Sequence, residues 1–385
     1  MTRKLYYEDC HLRQFTATVT GCAVTENGWQ ITLDATAFYP EGGGQACDFG
    51  TLGDAQVLDV REDNEQIFHL CDKPLPVGET VTGTIDWDRR FDLMQQHSGE
   101  HILSGLVNQK YGFQNTGFHV GKEVMEIDFD GIIPPEDIPV LEEQANRAIW
   151  QNLPILCHIP DPEALSKATY RSKRELPWPV RLVQIPGTDS CACCGVHVAY
   201  TGEIGLIKIL SCAKFHQGVR LELVCGKRAW NYLQQVFFQN RQISQTLSAK
   251  PLETARAVEK LQDSLSEEKF RCIGLQKQVF AGIANSYVNQ DNVLHFADAL
   301  EPGQVRELAD AIAGACKGYA AVFSPREGGY NYCLASREDD LRPLGKAMTA
   351  ALNGRGGGKP NFQQGTVSAQ ETEIRTFFEK EIAYV

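Results

Sequence analysis

The sequence lacks any apolar run that approaches the about 20 residues required for a membrane-spanning helix. Its first ten residues, Met1 to Cys10, are charged and polar, and no apolar segment follows them, so a secretory signal is not indicated. Internal repeats and low-complexity tracts are also absent. These absences argue against a membrane-spanning, secreted or repeat-built protein, and we expect a cytoplasmic one.

An excess of positive charge is missing as well. The net charge of the 385 residues is −12, which argues against broad, nonspecific affinity for nucleic acid. A local basic face is still allowed, and Arg355 with Lys359 forms one short basic cluster. Charge alone therefore selects no partner.

The thirteen cysteines do not indicate a disulfide framework. Their number is odd, the chain is long, and most of them stand singly in apolar stretches, so we expect reduced thiols that act as small hydrophobic side chains. Three of them, Cys191, Cys193 and Cys194, form a cluster that needs another explanation.

The order of the predicted elements indicates an α+β protein with four parts. Short alternating strands with polar turns, such as Glu26-Asn27-Gly28, predict a small β-barrel over residues 1–90. A helix from Asp92 to about Tyr111, followed by strands and another helix, predicts an α+β domain over 91–226. Apolar residues at helical spacing, with Pro251 as a break, predict a helical arm over 227–287. Alternating strands and helices predict a compact α/β module over 288–385, with a glycine loop before its final helix.

Two pairs of residues have the spacing of metal ligands. His97 and His101 are four apart in the predicted helix, so both imidazoles lie on one face, one turn apart. About ninety residues later, Cys193 and His197 are again four apart, with Gly195 allowing a tight turn between them. Together the pairs predict one tetrahedral zinc site with nitrogen and sulfur ligands. Cys191 and Cys194 remain competing candidates on spacing alone.

The same helix also matches the H-x-x-E-H signature of inverted zinc peptidases. In that interpretation Glu100 is the general base beside a zinc ion that activates water. Such a site requires an open coordination position and usually a downstream carboxylate ligand. The Cys193/His197 pair would instead fill the metal's coordination shell.

Further motifs carry a family resemblance over nearly the whole chain. The segment Thr36-Ala-Phe-Tyr-Pro-Glu-Gly-Gly-Gly-Gln45 resembles the editing-domain signature of alanyl-tRNA synthetase and of its free-standing relatives, the AlaX proteins of the long form. His97/His101 and Cys193/His197 match the zinc ligands of that family, and the segments Thr201–Gly205 and Gly218–Arg220 follow in order. The segment from Gly354 to Phe362 is similar to the C-terminal domain of alanyl-tRNA synthetase. Two departures are that Cys-Ala-Cys-Cys-Gly-Val-His replaces the commoner Cys-Gly-Gly-Thr-His, and that no Asp-His-His motif is present.

The resemblance implies a hydrolase that deacylates tRNA(Ala) carrying serine, or glycine, in place of alanine. It implies one zinc per chain, which we expect to orient the substrate because four protein ligands usually close a site. Thr36 matches a threonine that faces the amino-acid pocket, where its hydroxyl would bond to serine. Gln45 would supply an amide to the ligand, and Asn115 and His119 lie where the family has polar pocket residues.

The resemblance also implies how tRNA is held. Arg220, Arg355 and Lys359 are the expected tRNA-binding residues, and the C-terminal region helps to hold tRNA or forms a homodimer. Two other function classes stay open at this point, a zinc peptidase of the H-x-x-E-H type and a non-catalytic tRNA-binding protein.

Overall fold

The computed structural model describes residues 1–172 and 176–382, with side chains up to residue 380. The described residues form twenty strands, eight α-helices and three short 3-10 helices. They confirm the α+β class. The chain divides into two compact units, Met1–Gln242 and Ile243–Val385. Within the described ranges, none of the helices combines the length and apolar character that crossing a bilayer demands.

The first unit begins with β strands. Their bounds are β1 Arg3–Lys4, β2 Gln14–Thr25, β3 Gly28–Leu33, β4 Ala35–Thr36, β5 Gly50–Leu52, β6 Ala55–Asp63, β7 Gln66–Cys71 and β8 Thr80–Ile85. The strands close into a barrel in the order β2-β3-β7-β6-β5-β8, and β1 pairs in parallel with β4 outside it. The turn between β2 and β3 falls at residues 26–27, as the Glu26-Asn27-Gly28 signal predicts.

The remainder of this unit packs helices against two small sheets. Its elements are α1 Trp87–Tyr111, β9 Asn115–Val120, β10 Met125–Phe129, α2 Ile138–Trp150, β11 Leu156–His158, α3 Pro162–Lys167, β12 Leu182–Ile185, β13 Asp189–Ala192, β14 Ile207–Phe215, β15 Gly218–Cys225 and α4 Gly226–Thr246, of which the last extends past the unit boundary. One sheet has the order β14-β15-β10-β9 and the other β11-β12-β13. A continuous core of buried apolar residues joins the barrel to these elements.

Helix α1 lies at the centre of this core. Asp86 caps its N-terminus by accepting a hydrogen bond from the amide of Arg89, and Gly112 ends it in the left-handed conformation, with φ 76°. Residues 93 to 105 are all buried, although seven of them are polar. Because buried polar groups need partners, this polar, fully enclosed run is typical of a functional helix.

A buried ion pair fixes α1 to the barrel. Nε of Arg90 lies 2.9 Å from both carboxylate oxygens of Asp48, and its Nη2 donates to the carbonyl of Ala37 at 2.5 Å. Asp48 also accepts a hydrogen bond from the amide of Tyr39. The loop that follows Thr36 is thereby held against the first turn of the helix.

The second unit contains α5 Thr254–Asn285, β16 Val293–Phe296, α6 Pro302–Ala313, β17 Tyr319–Arg326, β18 Gly329–Ser336, α7 Arg342–Ala351, β19 Arg355–Lys359, β20 Phe362–Val367 and α8 Glu371–Ile382. Its five strands form one sheet in the order β16-β17-β18-β20-β19. The predicted break at Pro251 is confirmed, because α4 ends at Thr246 and α5 begins at Thr254.

The predicted glycine loop is wrong. Residues Arg355–Lys359 form the edge strand β19, which pairs with β20 through Phe362 to Thr366. Close approach explains two of the three glycines, because a Cβ at Gly356 would lie 2.1 Å from the hydroxyl of Tyr332, and one at Gly358 would lie 2.2 Å from the carbonyl of Phe362. A Cβ at Gly357 would meet nothing within 4 Å.

Candidate metal centre and its surroundings

The structure brings the two predicted ligand pairs together. The ring centroids of His97 and His101 are 5.4 Å apart on one face of α1, and both side chains are buried. Cys193 and His197 follow β13 and meet them across the core. The four donor atoms all lie within 4.8 Å of one another.

Gly195 makes the close approach possible. A Cβ at this position would lie 2.2 Å from Cε1 of His97, so a side chain would displace the imidazole. The glycine therefore serves as the surface on which His97 packs, and not only as a turn residue.

Sulfur and nitrogen atoms converge inside the cluster. Sγ of Cys193 lies 3.4 Å from Nε2 of His97 and 3.5 Å from Nε2 of His197. Three imidazoles and one thiol form a donor set that suits tetrahedral Zn²⁺. The residues present therefore fit a zinc ion.

Each imidazole has a second partner at Nδ1, which directs its Nε2 into the cluster. Nδ1 of His97 lies 2.9 Å from Oε1 of Gln45, and Nδ1 of His101 lies 2.9 Å from Oδ2 of Asp189. Nδ1 of His197 lies 3.3 Å from the hydroxyl of Ser98. Such outer partners fix the tautomer and orientation of metal-binding histidines.

The electrostatics are those of a ligand cluster. Burial would raise the pKa of the Cys193 thiol, but the charge of His97 and hydrogen bonds from the imidazoles outweigh it and hold that pKa well below its ordinary value. Burial lowers the pKa of His197, and the neighbouring His97 and His101 lower it further. The hydrogen bond to Asp189 more than offsets burial at His101 and raises its pKa. Metal ligands must be deprotonated, so the lowered pKa values of Cys193 and His197 favour metal binding, whereas binding at His101 requires its imidazole to lose a proton.

The competing cysteines occupy different positions. Cys191 lies beside His101 and Asp189, and burial raises the pKa of its thiol to about 11. Cys194 is exposed, and its Sγ lies 4.0 Å from the hydroxyl of Tyr39. Only Cys193 belongs to the four-donor cluster that contains both pairs.

The glycine-rich segment forms a tight turn beside the cluster. Gly42 and Gln45 exchange backbone hydrogen bonds of 3.1 and 3.0 Å, and the φ values of Gly43 and Gly44 are 59° and 81°. The turn lines a cleft of about 600 Å³ whose other walls include Arg61, Glu62, His119 and Val120. His119 thus lies on the cleft wall.

Gln45 connects this turn to the four-donor cluster of His97, His101, Cys193 and His197. Since its Oε1 accepts from Nδ1 of His97, its amide orientation is fixed and its Nε2 points elsewhere. That nitrogen is buried and has no hydrogen-bond partner among the described residues. A buried donor without a partner is costly and indicates a ligand position.

Asn115 begins β9 beneath α1 and contacts the same helix. Its Nδ2 donates to Oε1 of Glu100 at 2.6 Å, and the hydroxyl of Ser104 donates to the same oxygen at 2.5 Å. Oδ1 of Asn115 is buried and lacks a partner within the described part of the chain.

Thr36 is fully buried and does not line an open pocket. Its Oγ1 lies 2.9 Å from Nε2 of His69 and accepts from the amide of Phe38 at 3.1 Å. Nδ1 of His69 donates to the carbonyl of Ile31, so its Nε2 is the acceptor and the Thr36 hydroxyl donates to it. One lone pair of Oγ1 remains.

The three predicted tRNA-binding cations differ in their surroundings. Arg220 forms two hydrogen bonds to Asp128, at 2.7 and 2.9 Å, and an ion pair with Glu126. Its charge is therefore balanced locally by two carboxylates, and its expected role in binding tRNA stays a prediction. Arg355 and Lys359 are exposed at the two ends of β19.

Sequence reasoning missed two of the three outer partners of the cluster, Asp189 and Ser98. Asp189 accepts from His101 and forms a bidentate pair with Arg171, at 2.8 and 2.8 Å, while Ser98 bonds to His197. Asp189 is far from His101 in sequence, so no local spacing could indicate it. Ser98 lies beside a ligand on a buried helix, and that position was the one usable signal.

Two family models match the chain. The first, described as the second additional domain of threonyl- and alanyl-tRNA synthetases, covers residues 180–221, which contain Cys193 and His197. The second, described as class II (A) tRNA synthetases, covers residues 3–89, which contain Thr36 and Gln45.

Relatives that match most of this chain agree with these models. The alanyl-tRNA editing protein Aarsd1 of Danio rerio is 27% identical over 94% of this chain and 93% of its own length. The Aarsd1 protein of Bos taurus is 30% identical over 73% of this chain and 67% of its length. The alanine–tRNA ligase of Ignicoccus hospitalis is 31% identical over 94% of this chain but only 40% of its own length. The match to the Bos taurus editing protein reaches 30% identity over two thirds of that protein's length. The chain therefore belongs to the family of alanyl-tRNA editing proteins.

Proposed function

We propose that this chain is a trans-editing aminoacyl-tRNA deacylase, which hydrolyses the ester between tRNA(Ala) and a wrong amino acid. Serine is the proposed main target, with glycine second. One observation carries the proposal: the 2.9 Å contact between Gln45 and His97 joins the glycine-rich motif of the barrel to the metal cluster. Two family motifs that are remote in sequence thereby form one site.

Hydrolysis of an ester needs stabilisation of the negative charge that develops on the carbonyl oxygen. The Nε2 of Gln45 is a buried donor without a partner among the described residues, and His97 fixes its orientation. This donor is already oriented before charge develops, so it does not have to reorganise during the reaction. Preorganised donors are effective for that reason. We assign it to the carbonyl oxygen of the aminoacyl ester.

Zinc is the proposed cofactor, one ion per chain. His97, His101, Cys193 and His197 would hold it. When four protein ligands bind it, zinc supplies a closed structural site that keeps the surrounding walls in place. In that state His97 of α1 keeps its contact with Gln45 of the glycine-rich turn.

Serine would be recognised by the remaining lone pair of Thr36. Because the Thr36 hydroxyl donates to His69, it can only accept from a further group. The hydroxyl of serine can donate to it, whereas alanine and glycine carry no such donor. Thr36 is fully buried, so serine reaches it only after the site opens.

The substrate's tRNA would be held in part by the second unit. Arg355 and Lys359 are exposed on β19 and can contact phosphates. Arg220 is engaged by two carboxylates, so we propose no direct phosphate contact for it. A homodimer through the C-terminal region also remains a proposal.

The peptidase alternative is less well supported. Oε1 of Glu100 accepts hydrogen bonds from Asn115 and Ser104, and the Cys193/His197 pair completes a set of four possible metal donors. A peptidase of that type needs an open coordination position.

The test is a deacylation assay with Ser-, Gly- and Ala-tRNA(Ala), with Ser-tRNA(Ser) as the control for tRNA identity. We expect hydrolysis of Ser-tRNA(Ala) at least about 10-fold faster than of either Ala-tRNA(Ala) or Ser-tRNA(Ser), a difference of about 1.4 kcal/mol. Gln45→Ala should lower kcat by about 100-fold, as removal of an oxyanion donor does. Binding of tRNA(Ala) without hydrolysis of any ester would leave only the non-catalytic alternative.

A further inference from the structure

A second group of metal-binding side chains lies at the surface of the first unit, outside the four-donor cluster. Asp9, Cys10 and His11 are consecutive in the turn before β2, and one donor atom of each lies within 4.8 Å of the others. A thiol, an imidazole and a carboxylate are together a ligand set that suits zinc. This combination of sulfur, nitrogen and oxygen donors, and not the acidic group alone, makes the turn a candidate metal site.

Backbone hydrogen bonds fix the shape of this turn. The amide of Leu12 donates to the carbonyl of Asp9 at 3.3 Å, which places Cys10 and His11 at the two central positions of a β-turn. Oδ1 of Asp9 accepts from the amide of His11 at 2.8 Å, as an aspartate at the first position of a turn does. The carboxylate is thereby held close to the two central side chains, and its Oδ2 takes no part in that bond.

A contact with a remote residue distinguishes this group from three side chains that are merely neighbours. Oε2 of Glu203 lies 2.6 Å from Nε2 of His11, although 192 residues separate the two along the chain. A proton on Nε2 satisfies this contact, so the neutral imidazole keeps its lone pair on Nδ1. That Nδ1 lies 3.5 Å from Sγ of Cys10. A carboxylate that orients one imidazole nitrogen, while the other faces the ligand position, is the arrangement found at zinc-binding histidines.

Glu203 is itself held by the fold. It lies in the short 3-10 helix Thr201–Ile204, where its Oε1 accepts from the amide of Tyr200 at 3.0 Å. Its carbonyl accepts from Nε2 of Gln95 on α1 at 2.9 Å. The side chain of Glu203 is 24% exposed, against 41% for His11. The carboxylate is therefore fixed more firmly than the imidazole, which allows it to set the orientation of that ring.

Cys10, His11 and Glu203 also have the order of a catalytic triad, but the surroundings of the thiol argue against a nucleophile. Burial, together with the negative charges of Glu203 and Asp9, raises the pKa of Cys10 to about 11. A reactive thiolate needs positive surroundings that lower this pKa. Carboxylates beside a thiol instead attract a cation, and a metal ion that binds the sulfur displaces its proton.

We propose that Asp9, Cys10 and His11 form a second metal site, which binds a divalent cation such as Zn²⁺, with Glu203 as the outer partner of His11. Three protein ligands leave one coordination position to water, so this site is open, whereas four ligands close the first. Its ion is therefore held less tightly, is lost during purification and returns when metal is supplied. A bound ion ties the turn before β2 more firmly to Glu203 and, through its carbonyl, to α1. The site does not depend on the deacylase function.

The experiment counts the zinc ions on the full-length protein by equilibrium dialysis, with the thiols kept reduced. We expect the unchanged protein to bind a second ion, at least about 10-fold more weakly than the first, because it has one ligand fewer. Cys10→Ala and His11→Ala should each remove the second ion and keep the first. Asp9→Asn retains the acceptor for the turn and should only weaken the second ion. Cys272→Ala, which removes an exposed thiol on α5, is the matched control and should still bind two.

A measurement on the unchanged protein avoids any effect of a substitution on folding. The thiols are alkylated with and without added Zn²⁺, and mass spectrometry follows each cysteine separately. Zinc should slow the alkylation of Cys10 by at least about 10-fold, since a metal-bound thiolate is shielded, and should leave Cys272 unchanged.

Glu203→Gln tests the outer partner. It keeps the size of the side chain and removes the carboxylate, so the affinity for the second ion should fall by about 10-fold or more while the first ion stays. A single ion at saturating zinc would overturn the proposal. A second ion that persists in both Cys10→Ala and His11→Ala, or a Cys10 that zinc does not protect, would overturn it equally and indicate adventitious binding elsewhere.

Discussion

The Thr36 hydroxyl has a single acceptor position left after its bonds to His69 and Phe38. Thr36→Val keeps the volume and removes that position. We expect Ser-tRNA(Ala) hydrolysis to lose about 0.5–1.5 kcal/mol of transition-state stabilisation, several-fold in rate. Hydrolysis of Ala-tRNA(Ala) should stay level or rise, so the ratio of the two rates falls.

Thr36→Ser is the matched control, since it retains the hydroxyl and should retain the ratio. Both variants need a melting curve, because Thr36→Val also leaves Nε2 of His69 without its donor. An unchanged ratio in a folded Thr36→Val protein would show that another residue reads serine.

His69 gives a pH prediction. It is fully buried, and burial lowers its pKa from 6.5 to about 4. Below pH 6.5 His69 binds a proton in the unfolded chain but not in the folded protein. Its contribution to the free energy of unfolding is therefore complete above pH 6.5 and is lost toward pH 4. Between pH 7 and pH 5 this residue alone should lower the free energy of unfolding by about 2 kcal/mol.

Denaturant unfolding at the two pH values measures this loss, with His69→Gln as the control in which this part of the pH dependence disappears. An imidazole that titrates near pH 6.5 by NMR in the folded protein would contradict the prediction.

The choice among three cysteines is also testable at single residues. Cys193→Ala should remove the metal, because its thiol is the one in the four-donor cluster. Cys191→Ala and Cys194→Ala should keep about one zinc per chain, measured by elemental analysis of the purified proteins. Metal loss in Cys191→Ala with metal retained in Cys193→Ala would show that the ligand assignment is reversed.

At the scale of elements, α1 reaches β13 because it has no side chain at Gly105. A Cβ at Gly105 would lie 2.3 Å from the carbonyl of Thr188 and 2.7 Å from Cβ of Asp189. Gly105→Ala should therefore push β13 away and loosen the bond from Asp189 to His101. Loss of such an outer partner weakens metal affinity by about 10-fold or more.

Zinc transfer to a competing chelator measures that affinity. Gly274→Ala in α5 is the matched helical control, because a Cβ there meets nothing within 4 Å. It should leave zinc affinity unchanged and stabilise the helix by about 0.5–1 kcal/mol. Unchanged zinc affinity in Gly105→Ala would mean that β13 moves without cost.

Elements with local signals were predictable from the sequence. The β2–β3 hairpin and α1 follow from a turn signal and helical periodicity. Strand β19 was missed because glycines have low strand propensity and only pairing with β20 makes them extended. Within the site, four-residue spacing predicted the four donors that the fold brings together, but the contact of Asp189 with His101 forms only in the folded chain.

At the scale of the whole molecule, the two units can be tested separately. The sequence placed the end of the editing domain at Gly226, but Arg228 at the start of α4 bonds to Asp92 and to the carbonyl of Gly121. A chain that ends at Gln242 preserves these contacts and matches the first compact unit. It should hydrolyse Ser-tRNA(Ala) at saturating substrate while binding tRNA(Ala) more weakly.

Full-length Arg355→Glu/Lys359→Glu is the companion variant, and it should raise the Kd for tRNA(Ala) and flatten its dependence on salt. Equal affinity in all three proteins would mean that the second unit serves dimerisation and not tRNA.

The distance between the ligand pairs along the chain has a consequence for folding. An ion held by α1 and by the segment after β13 is a cross-link that closes a loop of about ninety residues. Closing a loop of that length lowers the conformational entropy of the unfolded chain. It thereby stabilises the folded protein by about 4–5 kcal/mol, as a disulfide of the same span would. The stretch between the pairs should therefore be the first that a protease cuts once a chelator has taken the metal.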